Sequence, residues 1–280
     1  MKQRRRTSLF LATVLALFVP GFVPSAQEAA AATQTLPSAR EIFDRFVEVT
    51  HSKDVLATKT SMHVVGRFEM PAMQMKGAME AWSAKPNLRL TSIEFGTFGK
   101  AIQGYDGKVG WMTHPMVGAR VLEGGDLLQF ALEADFDAVL KNPERYESLK
   151  TLGTESFEGK NCYKVELVAK PLEGMDAAKT KQMRTSLEFY EVDSGLLAGT
   201  KGYQESDMGA GPTMSVASDY KDFGGQLMAA KTTMKTGGQE FLLLFDSVEY
   251  DTATDATFAL PKEIQDVLAS RAAKSAPKPQ

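Results

Sequence analysis

Along most of this chain apolar residues alternate with polar ones at a spacing of two, and turn signals break the alternation at short intervals. Met62, Val64, Gly66 and Phe68 alternate with His63, Val65, Arg67 and Glu69. Met73, Met75, Gly77, Met79 and Ala81 then share one face, opposite Gln74, Lys76, Ala78, Glu80 and Trp82. Asp106-Gly107, Gly224-Gly225 and Gly237-Gly238 are hairpin signals, because a two-residue turn needs positive φ at its centre. Pro86-Asn87 is another turn, and Pro86 pushes Lys85 away from helix. Further strands are expected over residues 88–95, 100–105, 109–113, 119–122, 146–152, 161–170, 184–192, 196–205, 213–220, 227–235 and 239–250. A dozen short strands joined by tight turns imply an antiparallel meander of sandwich or barrel type. Phe241-Leu242-Leu243-Leu244-Phe245 is apolar on both faces and needs cover on both.

Two segments carry the helical period instead. Ser38 and Glu41 have the spacing of a capping box, and Ile42, Phe43, Phe46, Val47 and Thr50 form one apolar stripe behind them. A second helix is expected over residues 126–141, capped by Asp126, with Leu127, Leu128, Ala131 and Leu132 on one stripe. Phe136, Val139 and Leu140 extend that stripe after a shift in phase, and Asn142-Pro143 stops it. This helix interrupts the meander at its middle. The expected fold class is therefore α+β: a single curved antiparallel sheet forming an incomplete, half-open β-barrel, with helices packed over or inside its concave face. One domain spans residues 36–268.

The first residues bear on compartment. Lys2, Arg4, Arg5 and Arg6 precede an apolar run from Leu9 to Val19, and small residues follow Pro24. That pattern is a secretory signal peptide over residues 1–32, cleaved somewhere in 25–32, with a flexible lead-in to about 35. The mature protein is expected in the periplasm, soluble and monomeric, with a disordered tail over residues 269–280. The chain's net charge of −3 becomes more negative once the basic leader is gone, which disfavours nucleic acid and electrostatic adsorption to an anionic membrane. Cys162 stands alone and forms no internal disulfide; its strand context suits a buried thiol.

Catalytic signatures are missing from the sequence. The three histidines, His51, His63 and His114, have no ligand spacing, and Glu133, Asp135 and Asp137 read as a solvated helix face. No enzyme activity and no cofactor are expected. Met70, Met73 and Met75 would suit Cu(I) as soft ligands, to which His63 and His114 could add imidazole, an alternative kept open here.

Gly77-x4-Trp82-x2-Lys85-Pro86-Asn87-Leu88, followed by Asp106-Gly107-Lys108-x2-Trp111 and Pro115, resembles the LolA family of periplasmic lipoprotein carriers. The similarity continues in Val192-Asp193-Ser194-Gly195-Leu196 and in Phe258-x-Leu260-Pro261. It implies an incomplete β-barrel whose mouth helices close as a lid, shielding lipoprotein acyl chains or another lipid between an inner-membrane donor and an outer-membrane acceptor. Under that reading Met73, Met75 and Met79, with Leu127, Leu128, Phe130 and Leu132 of the central helix, are the candidate ligand-binding residues. The family's latch arginine falls on Lys85, which keeps the charge but lacks the planar fork of donors, so a looser lid is expected. A sensor of mislocalised lipoproteins acting through a partner is the other reading this fold allows.

Overall fold

The computed structural model describes residues 35–172, 174–206 and 209–275; the signal-peptide expectation falls outside them. Among the described residues thirteen strands form one sheet. They are β1 (Ser61–Met70), β2 (Met75–Ala84), β3 (Leu88–Glu94), β4 (Lys100–Tyr105), β5 (Gly110–His114) and β6 (Gly118–Val121), then β7 (Tyr146–Phe157), β8 (Lys160–Ala169), β9 (Thr185–Glu191), β10 (Leu197–Ser206), β11 (Gly209–Phe223), β12 (Gln226–Thr236) and β13 (Gln239–Tyr250). The helices are α1 (Ala39–Val49), α2 (Ser52–Thr58), α3 (Gly124–Glu133), α4 (Lys181–Arg184) and α5 (Lys262–Ser275). Every neighbouring pair of strands is antiparallel. Two meanders, β1–β6 and β7–β13, join along β1 and β13, so β6 and β7 become the two edges. At the join Gly66 sits on a bulge where a Cβ would lie 2.2 Å from the Leu244 carbonyl oxygen, so only glycine fits.

One helix shows that the sheet is curled. α3 packs against both β5 and β10, eight strand positions apart in the sheet order. In a flat sheet that separation would be about 38 Å, whereas a helix is only about 10–12 Å across. The sheet therefore bends around α3, and the expected incomplete barrel is present. Residues 122–145 run from one free edge to the other and act as a strap across the opening.

α1 has the expected capping box: the Ser38 N–H donates to Glu41 Oε2 at 2.7 Å and the Glu41 N–H donates to Ser38 Oγ at 3.3 Å. Its buried stripe of Ile42, Phe43 and Phe46 packs on Val165, Leu167 and Tyr190 of the sheet's inner face. Sequence reasoning missed α2. His51 adopts φ 54° and redirects the chain into it, instead of lying at the end of a single helix. The joint is pinned by a buried polar network. Thr50 Oγ1 lies 2.7 Å from Ser52 Oγ, which accepts from Gln226 Nε2 at 3.0 Å, and the Tyr250 hydroxyl donates to Gln226 Oε1 at 3.0 Å.

Three boundaries need correction. The central helix ends at Glu133 and does not continue to residue 141. Asp135 Oδ1 accepts the Asp137 N–H at 3.1 Å, a local bond that competes with the helical ladder. Short 3-10 turns follow at Ala138–Leu140 and Pro143–Arg145. Asp126 is a first-turn residue and not the cap, which is Glu123. The tail expected from residue 269 is helical through Ser275: α5 packs against β6, with Ile264 fully buried and Arg271 paired with Glu123. The apolar run from Phe241 to Phe245 is half-buried and not buried on both faces. No described helix is long and apolar enough to cross a membrane.

Candidate functional site

Between the strap and the inner face of β8–β10 lies a cavity of about 530 Å³, within the ~300–1,000 Å³ of small-molecule sites. Ala131, Leu132 and Ala138 of the strap, Leu167 of β8, and Leu172 and Met183 of the β8–β9 connection give it apolar walls. The sheet contributes a polar floor of Ser186, Glu188, Thr200 and Thr213. Strand alternation explains the mixture, because Ser186, Glu188 and Tyr190 point to the same face of β9. The interior is amphipathic, whereas the candidate ligand-binding residues named from the sequence are all apolar.

A buried ion pair stands at the wall. Lys141 Nζ lies 2.7 Å from Glu188 Oε1, with side chains only 14% and 7% exposed. The Tyr190 hydroxyl donates to Glu188 Oε2, and Tyr190 packs on the rings of Phe43 at 5.6 Å and Phe46 at 5.4 Å. Burial works against the Lys141 ammonium, but Glu188 and Tyr146 outweigh it and leave its pKa raised. Burial, reinforced by Glu188, pushes the Tyr190 hydroxyl far above its ordinary value. Burial likewise raises Tyr146, with Lys141 opposing. Lys141 thus keeps its charge beside Glu188 with neutral tyrosines around it, and the lining also holds Arg145, Lys170, Arg184 and Lys201 against Glu133 and Asp135.

The strap is tied down by charge along its length. Asp126 pairs with Arg120 at 3.1 Å, Glu133 with Arg89 at 3.2 Å, and Asp137 with Lys85 at 3.9 Å. Glu123 pairs with Arg271, and Asp135 with Arg145 on the strap itself. Arg89 also donates to the Glu133 main-chain carbonyl at 3.0 Å, satisfying the end of α3, and stacks 5.4 Å from the Phe130 ring centroid. Glu133 and Asp137 are therefore anchors and Asp135 braces the strap internally, where the sequence suggested a solvated helix face. Their spacing of two was the available signal, since residues two apart cannot share one helical face.

Lys85 occupies a joint between elements. Its Nζ donates to the Leu56 carbonyl of α2 at 2.8 Å, lies 3.9 Å from Asp137 Oδ1, and sits 5.6 Å from the Phe136 ring centroid. The Phe136 N–H donates to the Pro86 carbonyl at 3.4 Å.

Of the seven candidate ligand-binding residues, Leu132 alone lines the cavity. Leu128 and Phe130 are buried, and Leu127 packs beside the cluster of Tyr105, Met112 and Ala131. Met79 is buried, 3% exposed, while Met75 is half-buried. Met73 is 55% exposed on the 3-10 turn Pro71–Met73 between β1 and β2. Pro71 opens that turn and Gln74 closes it in the left-handed region, so the strand restarts only at Met75 and the three methionines do not form a row. The copper alternative fares no better geometrically. His63 is stacked 3.6 Å from Trp82 on the face opposite Met75, and His114 Nδ1 accepts the Met116 N–H at 3.2 Å. Lys141, Glu188, Arg89 and Arg145 were not singled out from the sequence.

Solved structures share this architecture. A DUF1329 family protein from Desulfovibrio piger aligns with a TM-score of 0.56 at 15% identity, over 80% of this chain and 98% of its own. A LolA superfamily protein from Nitrosomonas europaea aligns with a TM-score of 0.54 at 14% identity, over 80% of this chain and 99% of its own. The fold is LolA-like. At these identities the similarity extends to the fold alone. No family model and no curated protein matches the chain.

Proposed function

We propose that this LolA-like chain is an exported, periplasmic binding protein that shields an acyl chain of a lipid or lipoprotein in the strap-covered cavity, without covalent chemistry. The observation that carries the reading is the cavity itself, which is roofed by a segment crossing from one free edge of the sheet to the other. Leu132, Leu167, Leu172 and Met183 suit the chain, while Ser186 and Thr200 suit its polar end.

The strap is a movable lid on this reading. Its contacts to the walls combine ion pairs that retain exposure, each contributing on the order of 0–1 kcal/mol, with the buried side chains of Leu128, Phe130 and Phe136. Burying an acyl chain of sixteen carbons returns about 0.8 kcal/mol per methylene, on the order of 12 kcal/mol in all. Ligand burial can therefore offset release of several such pairs. Lys85 is the latch between α2 and the strap.

Native mass spectrometry of protein exported by its own host tests this. A co-purifying acylated species is expected, and Ala138→Trp, which fills the cavity from the strap side, should abolish it. A clean apo mass for the unsubstituted protein after gentle extraction, or an unchanged ligand in Ala138→Trp, overturns the proposal.

A further inference from the structure

The four most exposed large apolar side chains among the described residues all sit at hairpin apices: Met116 is 85% exposed, Phe98 69%, Val117 68% and Met73 55%. They belong to the β1–β2, β3–β4 and β5–β6 connections. Alternate hairpins of an antiparallel meander turn at the same end of the sheet, so these apices point the same way. Neighbouring apices stand two strands, about 10 Å, apart. The second and third touch, since a Cβ on Gly99 would come within 2.9 Å of the Pro115 side chain. The cavity reaches the same end: Leu172 and Met183 lie in the β8–β9 connection, and Tyr203 and Thr213 flank the β10–β11 hairpin, both of which turn there.

We infer that this end docks on a lipid bilayer, with Phe98, Met116 and Val117 inserted below the headgroups. Four side chains spread over three hairpin apices make a smaller and more interrupted surface than the contiguous patch that a protein partner covers. They do lie at one end of the sheet, from which they can enter a bilayer together. Charges beside the apices are matched within their hairpins, Lys76 to Glu69 at 3.4 Å and Lys100 opposite Glu94 in register. Attachment is thus by insertion and not by adsorption, in keeping with the net negative charge of the chain. The purpose of docking rests on the acyl-carrier reading, because a chain leaving the membrane at this end would meet Leu172 and Met183 of the cavity lining; the docking itself rests on the apices.

Flotation of the mature protein with vesicles of phosphatidylethanolamine and phosphatidylglycerol tests the inference. Unsubstituted protein should float with the vesicles and stay bound in high salt. Phe98→Ser/Met116→Ser/Val117→Ser should weaken this by at least about tenfold, while melting temperature and acyl occupancy of the cavity stay unchanged. In a separate variant, Phe98→Trp fluorescence should shift to the blue and be quenched by brominated lipid beyond the background of Trp82 and Trp111. Absence of flotation, equal flotation of the triple variant, release by salt, or no added quenching overturns the docking. So does a concentration-dependent dimer that the triple variant abolishes, since a second copy would then cover the apices. Flotation with an empty cavity would instead refute the carrier reading and leave the docking standing.

Discussion

Replacing Lys141 with methionine leaves Glu188 in the cavity wall with one hydrogen-bond partner, the Tyr190 hydroxyl. Both side chains of the pair are well below one-third exposed, so solvent screening removes little of the effect. Removing one member of a buried pair costs about 3–5 kcal/mol, and the retained Tyr190 bond argues for the lower end, about 3 kcal/mol. Lys141→Met/Glu188→Leu/Tyr190→Phe removes the charge and the orphaned hydroxyl together, and should return to within about 1 kcal/mol of the unsubstituted protein. Urea unfolding followed by circular dichroism reads both values. With a slope near 3 kcal/mol per molar, the single variant should move the midpoint down by about 1 M. A shift below about 0.3 M for Lys141→Met would mean that the carboxylate is solvated or neutral in the folded protein, and the argument from burial would fail. A triple variant as unstable as the single one would show that packing against Phe43, and not charge, is what Lys141 supplies.

Arg89→Leu should cost about 1–2 kcal/mol, because it strips the Glu133 carbonyl of its donor and breaks a pair that is partly exposed and therefore discounted. Hydrogen exchange should rise across residues 124–134 and stay unchanged in β11–β13. Asp251, held by the Thr60 N–H and by Lys59, has its carboxyl pushed down to about 2. A depressed carboxyl contributes stability above its ordinary range and loses it as pH falls through the folded value, so Asp251→Asn should unfold more easily at pH 4 and match the unsubstituted protein near pH 2 in an acid titration. Gly104→Ala would place a Cβ about 2.4 Å from the buried Trp111 ring, and should destabilise by about 1–3 kcal/mol with a shift in tryptophan emission.

What the sequence revealed and what it concealed follow from the range of the interactions involved. Alternation and turn dipeptides are local, and they located the strands, the capping box at Ser38 and Glu41, and the hairpin at Asp106-Gly107. The resemblance motifs fall where the wall needs them: Asn87 sits against Gly107, at 3.1 Å from where a Cβ would stand, so the two motifs meet in space. Partners across the sheet leave no such local trace. Lys141 and Glu188 are separated by 47 positions, Arg89 and Glu133 by 44, and nothing in either neighbourhood announces the other. The methionine row failed for a local reason, since Pro71 starts a 3-10 turn that takes Met73 out of register. The extent of the central helix failed because Asp135 bonds its own neighbour's N–H in preference to the helical ladder.

The proposed latch at Lys85 is where these two kinds of information combine. Lysine at position 85 implied a looser closure than an arginine fork would give. The structure places that lysine on α2 and Asp137, where a single ammonium can reach a carbonyl and a carboxylate at once. The planar fork is present four residues further on. Arg89 directs Nη1 at both the carbonyl and the carboxylate of Glu133 while its Nε donates to Thr91 Oγ1 at 3.4 Å and its guanidinium lies near Phe130, a division of donors between two partners that a single ammonium does not supply in this geometry. The two cations therefore hold different parts of the strap: Arg89 fixes the end of α3, and Lys85 fixes the 3-10 segment beyond it to α2. A strap held at two points can open in two stages. Lys85→Leu should then loosen residues 135–140 while leaving α3 protected, whereas Arg89→Leu should loosen α3 itself. Identical exchange patterns in the two variants would show that the strap moves as one body and that a single latch describes it.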